Sequence, residues 1–169
     1  MQKIQNWLSK QVGWKYLLVM VLILVILNGL WAIIMRPLIY EWIPPKDNSR
    51  FIALLVMLIT DPIWFFTFAI LIGPLWEEFI YRFCVLTFVV TKTLSFWWIG
   101  LAVILSSIVF GLRHDGLPSI FIYGIFGVCS SIIFLKAGAY NKNYKRGFLY
   151  CFVFHSLFNI WACIRLLFL

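Results

Sequence analysis

An uncharged, mostly apolar run from Tyr16 to Met35 is the feature that most constrains how this chain folds. A helix needs about 20 such residues to cross the hydrocarbon core of a bilayer. The run is too long for the apolar part of a secretory signal, and no A-x-A cleavage site follows it. The sequence therefore predicts a retained transmembrane helix.

The rest of the chain has the same character. It is 64% hydrophobic and 12% charged, whereas a soluble domain is about half apolar and a quarter charged. This composition excludes a disordered chain and predicts one multi-pass membrane domain over 1–169. The net charge of +8 suits cytoplasmic loops and anionic head groups. We therefore expect membrane lipids as partners and no nucleic acid.

Charges and Pro or Gly breaks divide the chain into six segments of nearly spanning length. They are 14–35, 51–72, 75–91, 94–112, 117–135 and 147–167. The loop 36–50 is polar and aromatic, which suits the membrane interface. The sequence thus predicts an all-α, polytopic transmembrane bundle of about six helices, with an N-terminal helix and loop (1–50) added to a core (51–169).

The segments 51–72 and 75–91 are defined least clearly, because Asp61-Pro62 interrupts the first and Gly73-Pro74 leaves only a tight turn or a kink between them. With six spans, both termini lie on the same side of the membrane. Five Lys and Arg residues lie on that side and eight on the other, not counting Arg82, which lies within a helix. The positive-inside rule then puts both termini outside, with Lys3 and Lys142 on opposite faces. If the two segments form one span, Lys92 and the 136–146 loop join the N-terminus and the orientation reverses.

Three charged side chains lie close together at predicted membrane depth, where each is costly and therefore a functional candidate. They are Glu77, Glu78 and Arg82. Arg82 follows Glu78 by four residues, so the two share a helix face and can form an ion pair. Glu77 is rotated about 100° from Glu78. We therefore expect it to face a different neighbourhood.

The two histidines of the chain also lie in apolar segments. His114 ends the fourth segment, in Phe110-Gly111-Leu112-Arg113-His114. His155 lies inside the sixth and shares a helix face with Asn159, four residues later. Singly, each polar residue can be structural, as an ion pair or an interhelical hydrogen bond. Together they supply a general base, its partner and oxyanion donors, the groups that hydrolysis needs.

In this order the residues resemble the three motifs of the CAAX protease and bacteriocin-processing (CPBP or Abi) membrane proteins, EExxxR, FxxxH and HxxxN. The matches are Glu77-Glu78 with Arg82, Phe110 with His114, and His155 with Asn159. The resemblance covers roughly residues 51–165, and the first helix is an added element.

The resemblance implies an intramembrane endopeptidase of the glutamic type, in a bacterial cell membrane. Because the sequence has no compact metal motif, we expect activity to need no metal, and we expect no cofactor. Glu77, assisted by His114, would activate a water, and His155 with Asn159 would stabilise the oxyanion. Two adjacent carboxylates can take different roles when their surroundings differ. Arg82 and Glu78 would therefore form the supporting pair. Because water must reach Glu77, we expect a polar intramembrane cavity that opens to one face of the bilayer.

Three other functions are compatible with these residues. A zinc peptidase could use a glutamate with both histidines, although HExxH and its inversion are absent. A non-catalytic bacteriocin immunity or binding protein would use the same fold, and a small transporter could also bury Glu, His and Asn. The sequence leaves the substrate open between a prenylated C-terminus and a secreted peptide. The expected partner is a peptide or membrane-protein substrate.

Overall fold

The structure is a computed structural model that describes residues 2–35 and 49–168. These residues form helices joined by short turns, and no strand occurs among them. Most of the predicted interfacial loop 36–50, including Trp42, lies outside the described residues. The predicted all-α membrane bundle is confirmed.

Five helices in the described part of the chain are long and apolar enough to cross a membrane. In chain order, they are the first span (Trp14–Ile34), the second (Pro62–Lys92), the third (Phe96–His114), the fourth (Leu117–Asn141) and the fifth (Tyr144–Arg165). Two shorter helices precede the first and second spans, Gln2–Ser9 and Ser49–Thr60. Ser49–Thr60 has 12 residues and rises only about 18 Å, less than the hydrocarbon core is thick.

The predicted break at Gly73-Pro74 is wrong, because the chain is helical without interruption from Pro62 to Lys92. The break lies at Asp61 instead. The Asp61 side chain accepts a hydrogen bond from the Trp64 backbone N–H at 3.0 Å, and Pro62 occupies the first helical turn. An Asp cap followed by Pro is a strong helix start.

The second span is not a regular α-helix. Its α-helical pieces are Pro62–Thr67, Gly73–Glu78 and Val85–Lys92. Between them lie two π-helical segments, Phe68–Ile72 and Phe79–Cys84. Such segments place one extra residue in a helix and are frequent at functional sites.

The remaining spans pack around the second. The third belongs to the helix Phe96–Asp115 and turns into the fourth at Gly116, whose φ of 80° favours glycine. The fourth contains the helix Tyr123–Ala137 between short 3₁₀ turns, Leu117–Phe121 and Ala139–Asn141. The fifth lies in the helix Tyr144–Phe168, and the first continues from Trp14–Leu30 into a π-helical turn, Trp31–Met35.

Burial in this bundle suits a lipid environment. The fully buried side chains include Leu17, Leu86, Ile133 and Phe154, which come from four different spans. Many large apolar side chains face outward, among them Ile63, which is 81% exposed. In water such a surface would be an aggregation hazard, but in a bilayer it contacts lipid tails.

The N-terminal segment is tied to the loop between the fourth and fifth spans, a contact we call the N-terminal clasp. Lys136 Nζ donates to the Trp7 carbonyl, and Asn141 Nδ2 donates to the Ser9 carbonyl at 2.8 Å. Arg146 donates to Gln11 Oε1 at 2.6 Å and to the Val12 carbonyl at 3.0 Å. The N-terminus and the 136–146 loop therefore lie at the same end of the bundle.

The clasp corrects the six-span topology, which put Lys3 and Lys142 on opposite faces. Gln5 Nε2 also donates to the Leu94 carbonyl at 3.4 Å, which brings the turn after Lys92 to the same end. This arrangement is the alternative that the sequence predicts if 51–72 and 75–91 contribute one span and not two. The positive-inside rule then predicts that the clasp end is cytoplasmic.

Candidate active site

Glu77 and Glu78 lie at mid-length of the second span, between its two π-helical segments. The fifth span runs alongside and carries His155 about 11 residues from its start. Since a helix rises about 1.5 Å per residue, this position also lies near the middle of the bilayer. The carboxylates and His155 therefore meet at membrane depth.

Glu78 is fully buried and has three partners. Its Oε2 accepts a hydrogen bond from Ser130 Oγ at 2.7 Å and lies 3.4 Å from Arg82 Nε. Its Oε1 lies 2.8 Å from His155 Nδ1. Both carboxylate oxygens are thus occupied, and the ion pair is the one expected from the spacing of Glu78 and Arg82. A buried carboxylate with this many partners is suited to holding the site together.

Arg82 is also fully buried, and its guanidinium lies 4.5 Å from the centre of the Phe110 ring. Its Nη1 and Nη2 atoms have no hydrogen-bond partner among the described residues. The ring face offsets part of this cost through a cation–π interaction. The guanidinium fits because Gly127 has no side chain, since a Cβ there would lie 2.9 Å from Nη2.

Glu77 differs from Glu78 mainly in its exposure. Its side chain is 33% exposed, and its Oε2 lies 3.6 Å from His155 Nε2. His155 therefore stands between the two carboxylates, with one ring nitrogen toward each. The expectation that Glu77 faces a separate neighbourhood is wrong, because both glutamates reach the same imidazole.

Phe110 connects the two histidines. Its ring centre lies 4.6 Å from that of His114 and 6.0 Å from that of His155. His114 Nδ1 lies 2.9 Å from the Phe110 carbonyl oxygen, and its ring stacks on Tyr123 at 4.0 Å. His114 is thus linked to His155 and Arg82 through the Phe110 ring, which contacts all three.

Asn159 makes a contact that its predicted role does not require. Its Nδ2 donates to the Ala69 backbone carbonyl of the second span at 2.7 Å. Ser156, on the same helix, donates to the neighbouring Ile70 carbonyl at 2.7 Å. The amide nitrogen of Asn159 has two hydrogens, so one of them is used by this contact.

Three residues that contact the site were not predicted from the sequence. Ser130 binds Glu78, Ser156 binds the second span, and Phe126 packs edge-on against His155 with ring centres 4.6 Å apart. Serines on an apolar helix are a recognisable signal for interhelical hydrogen bonds. Which carbonyl or carboxylate they reach depends on the packing of distant spans.

Two apolar grooves lie on the bundle. One of about 650 Å³ lies between the second and third spans and has Lys92 at its clasp end. The other, of about 320 Å³, lies among the first, fourth and fifth spans, and Phe126 forms part of its wall. The carboxylates and histidines line neither groove. The predicted polar cavity stays a prediction, and Glu77 is the cluster's exposed carboxylate.

The zinc alternative can be compared with the ligand geometry. Within the described residues, no group of three or more His, Cys, Asp or Glu side chains is arranged to hold a metal ion. His155 Nδ1 lies against Glu78 and Nε2 against Glu77 Oε2, so Nε2 is the ring nitrogen that a zinc ion would have to share with Glu77.

The comparison with protein families agrees with the motifs. A family model described as "Type II CAAX prenyl endopeptidase Rce1-like" matches residues 59–161, more than half of the chain. The chain belongs to this family. No curated protein and no solved structure matches it.

Membership confirms the resemblance to CPBP proteins and makes the chain a multi-pass membrane protein of a CAAX-type intramembrane endopeptidase family. All seven motif residues lie inside the matched range, namely Glu77, Glu78, Arg82, Phe110, His114, His155 and Asn159. Residues 1–58, which include the helix Gln2–Ser9 and the first span, lie before it.

Proposed function

We propose that the protein is an intramembrane endopeptidase that hydrolyses a peptide bond with a water activated by Glu77. The observation that carries this proposal is the position of His155, whose nitrogens lie 2.8 Å from Glu78 and 3.6 Å from Glu77. One carboxylate of the pair is buried and fully engaged, and the other is open. A general base must be reachable by water and substrate. Glu78 is closed to water, whereas Glu77 has exposed surface that the predicted polar cavity would supply with water.

The hydrogen bonds define what His155 can donate. An ionised Glu78 only accepts hydrogen bonds, so His155 Nδ1 carries a proton. In neutral His155, the lone pair is then on Nε2, toward Glu77. Stabilising an oxyanion requires a proton on Nε2 as well, and the two flanking glutamates provide a place for the imidazolium charge.

The proposed reaction conserves its atoms with water as the only co-reactant. Glu77 takes a proton from the water, and the oxygen attacks the scissile carbonyl carbon. The resulting oxyanion receives hydrogen bonds from His155 and from the second amide hydrogen of Asn159. The carbon–nitrogen bond then breaks, and Glu77 returns the proton to the leaving amine. Glu78 and Arg82 hold His155 in place.

His114 is proposed to assist Glu77 in orienting the water. The Phe110 carbonyl accepts a hydrogen bond from Nδ1, which leaves the lone pair of a neutral ring on Nε2. His114 and His155 both pack against Phe110. Phe110 therefore fixes the two rings relative to each other.

The family name points to a prenylated peptide as substrate, and the smaller groove supports this proposal. Phe126 belongs to its wall and also contacts His155. An apolar chain in this groove would therefore end one ring away from the proposed oxyanion donor. Prenylated C-terminal peptides carry such a chain.

The test is cleavage of a quenched fluorescent prenylated peptide by purified protein in proteoliposomes. Glu77→Gln keeps the size and hydrogen bonding of the side chain but removes the base. We expect it to accumulate normally and to lose about 100-fold to 10,000-fold in rate. Asp61→Asn is the matched control, because it also neutralises a carboxylate of this region but keeps a helix-capping acceptor.

Full activity of a well-accumulated Glu77→Gln protein would overturn the proposal. If the wild-type protein cleaves no peptide but protects cells from a bacteriocin, and Glu77→Gln protects equally, the immunity function is the correct one. Filling the smaller groove with Ile125→Trp should raise KM for the prenylated peptide. The same change in the larger groove, Leu105→Trp, should not.

A further inference from the structure

Two backbone carbonyls of the second span, those of Ala69 and Ile70, lack the hydrogen bond that an α-helix provides from the N–H four residues later. The Gly73 N–H donates to the Phe68 carbonyl, five residues back. In an α-helix this N–H would donate to the Ala69 carbonyl. The next residue, Pro74, has no N–H, so Ile70 also lacks its α-helical donor. Ala69 and Ile70 therefore both lack their α-helical donor, and their carbonyls can accept hydrogen bonds from another span.

The fifth span supplies both. Asn159 Nδ2 donates to the Ala69 carbonyl and Ser156 Oγ to the Ile70 carbonyl, each at 2.7 Å. Hydrocarbon offers no donor to a freed carbonyl, so these hydrogen bonds have no substitute in lipid. We call the pair of contacts the carbonyl brace.

The brace lies close to the chemistry. Ser156 directly follows His155, and Ile70 precedes Glu77 by seven residues, about two helical turns or 10 Å along the axis. The second and fifth spans are thus joined twice, once by the brace and once by His155 with the two glutamates. Two attachment points fix the register and rotation of one helix against the other, whereas one would leave them free to pivot.

We propose that Ser156 is a positioning residue, which together with Asn159 holds the irregular, proline-containing turn of the second span so that Glu77 meets His155. The consequence for catalysis rests on the proposed function. The brace itself does not, because it follows from the missing donor of Pro74 and can be tested by stability alone.

The first test is a double-mutant cycle between Ser156 and Pro74, read as thermal unfolding of the purified protein in detergent. Ser156→Ala should lower the melting temperature by about 2–5 °C. Pro74→Ala restores a backbone N–H that can serve the freed carbonyls. In that background, Ser156→Ala should cost less than half as much. Equal costs in both backgrounds would overturn the proposal.

A matched control is Ser106→Ala. Ser106 is buried to a similar degree, but its hydroxyl donates to Val103 in its own helix. Its cost should be the same with Pro74 and with Ala at that position. A coupling as large as that of Ser156 would mean that Pro74→Ala perturbs the whole bundle and that the brace is not specific.

A second pair of variants keeps the test valid if Pro74→Ala does not fold. Ser156→Thr retains the hydroxyl. Ser156→Val introduces a side chain with the shape of Thr but without the hydroxyl. The Thr variant should melt near the wild type and the Val variant several degrees lower. Identical melting temperatures would show that the hydroxyl does not brace the second span.

The catalytic consequence has its own measurement. Ser156→Val should lower kcat about 10-fold to 100-fold with KM nearly unchanged, because it misplaces Glu77 without touching the substrate. Ser156→Thr should restore kcat. A stability difference without any kcat difference would retain the brace and refute its positioning role. Absence of peptide cleavage in the wild type would refute the proposed function and leave the stability test standing.

Discussion

The polar cluster at mid-membrane and the N-terminal clasp both join distant parts of the chain through charged side chains, but they differ in what can replace them. In the cluster, Glu78 and Arg82 are fully buried and bind side chains of other spans. In the clasp, Lys136 is buried, but Asn141 is exposed and Arg146 is partly so, and these two donate to backbone oxygens near the end of the bundle. Water or lipid head groups can replace a lost contact of Asn141 or Arg146. Nothing in hydrocarbon can replace a partner of Glu78.

The same kind of contact thus serves different purposes at different depths in the membrane. Surface contacts are individually weak, and the clasp mainly records which ends of the spans lie together. The buried contacts are individually costly to break, so they fix the geometry around His155. Substitutions in the two regions should therefore differ in size, as three predictions specify.

The largest effect is expected for Glu78→Ala, which leaves Arg82 buried without its carboxylate. Breaking a buried ion pair in this way costs about 3–5 kcal/mol, so the protein should fail to accumulate in membranes. Quantitative immunoblots of membrane fractions measure this, with Glu77→Gln as the comparison. Equal accumulation of the two variants would show that burial of Glu78 does not set its cost.

An intermediate effect is expected for Gly127→Ala. The new Cβ would lie 2.9 Å from Arg82 Nη2 and from the Ser107 Cβ, and overpacking of this kind costs about 1–3 kcal/mol. Gly100→Ala is the control, because nothing lies within 4 Å of a Cβ there, and alanine favours a helix interior. Chemical unfolding in detergent should separate the two variants. A tolerant Gly127 would mean that the cluster can relax.

The smallest effect is expected for Arg146→Ala in the clasp, about 1 kcal/mol or less. The same unfolding measurement tests it. Cysteines introduced at Lys3 and Lys142 should be labelled from one and the same side of the membrane, with and without Arg146. Labelling from opposite sides would contradict the clasp and support the six-span topology.

Hydropathy was sufficient to predict most of the fold, because spanning helices are specified by local composition. The error lay at Gly73-Pro74, where local reasoning expects a break. The helix continues through Pro74 because Ser156 and Asn159, more than 80 residues away, supply hydrogen bonds to its freed carbonyls. The start at Asp61-Pro62 has a local signal, an Asp cap before proline; the sequence marked it as an interruption of 51–72 but not as the start of the span.

For the site, spacing within one helix predicted the contact of Glu78 with Arg82, since residues four apart share a face. It also gave the set of polar residues that the spans bring together. It did not predict that His155 lies between both glutamates, because that depends on how the fifth span is rotated against an irregular second span. The roles of Glu77, His114, His155 and Asn159 in catalysis stay predictions.

The irregularity of the second span has a further consequence for how its gene can change. A π-helical segment holds one residue more than the α-helical turn it replaces. Deleting a single residue between Phe79 and Cys84 would therefore close the wide turn to an α-helical one and leave the following turns with nearly the same faces inward. Leu86 and Val90, now buried, would stay buried, whereas a deletion at the start of the α-helical piece Val85–Lys92 would rotate the residues after it by about 100°. The wide turns are thus the places where this span can lose a residue without turning its buried side chains toward lipid.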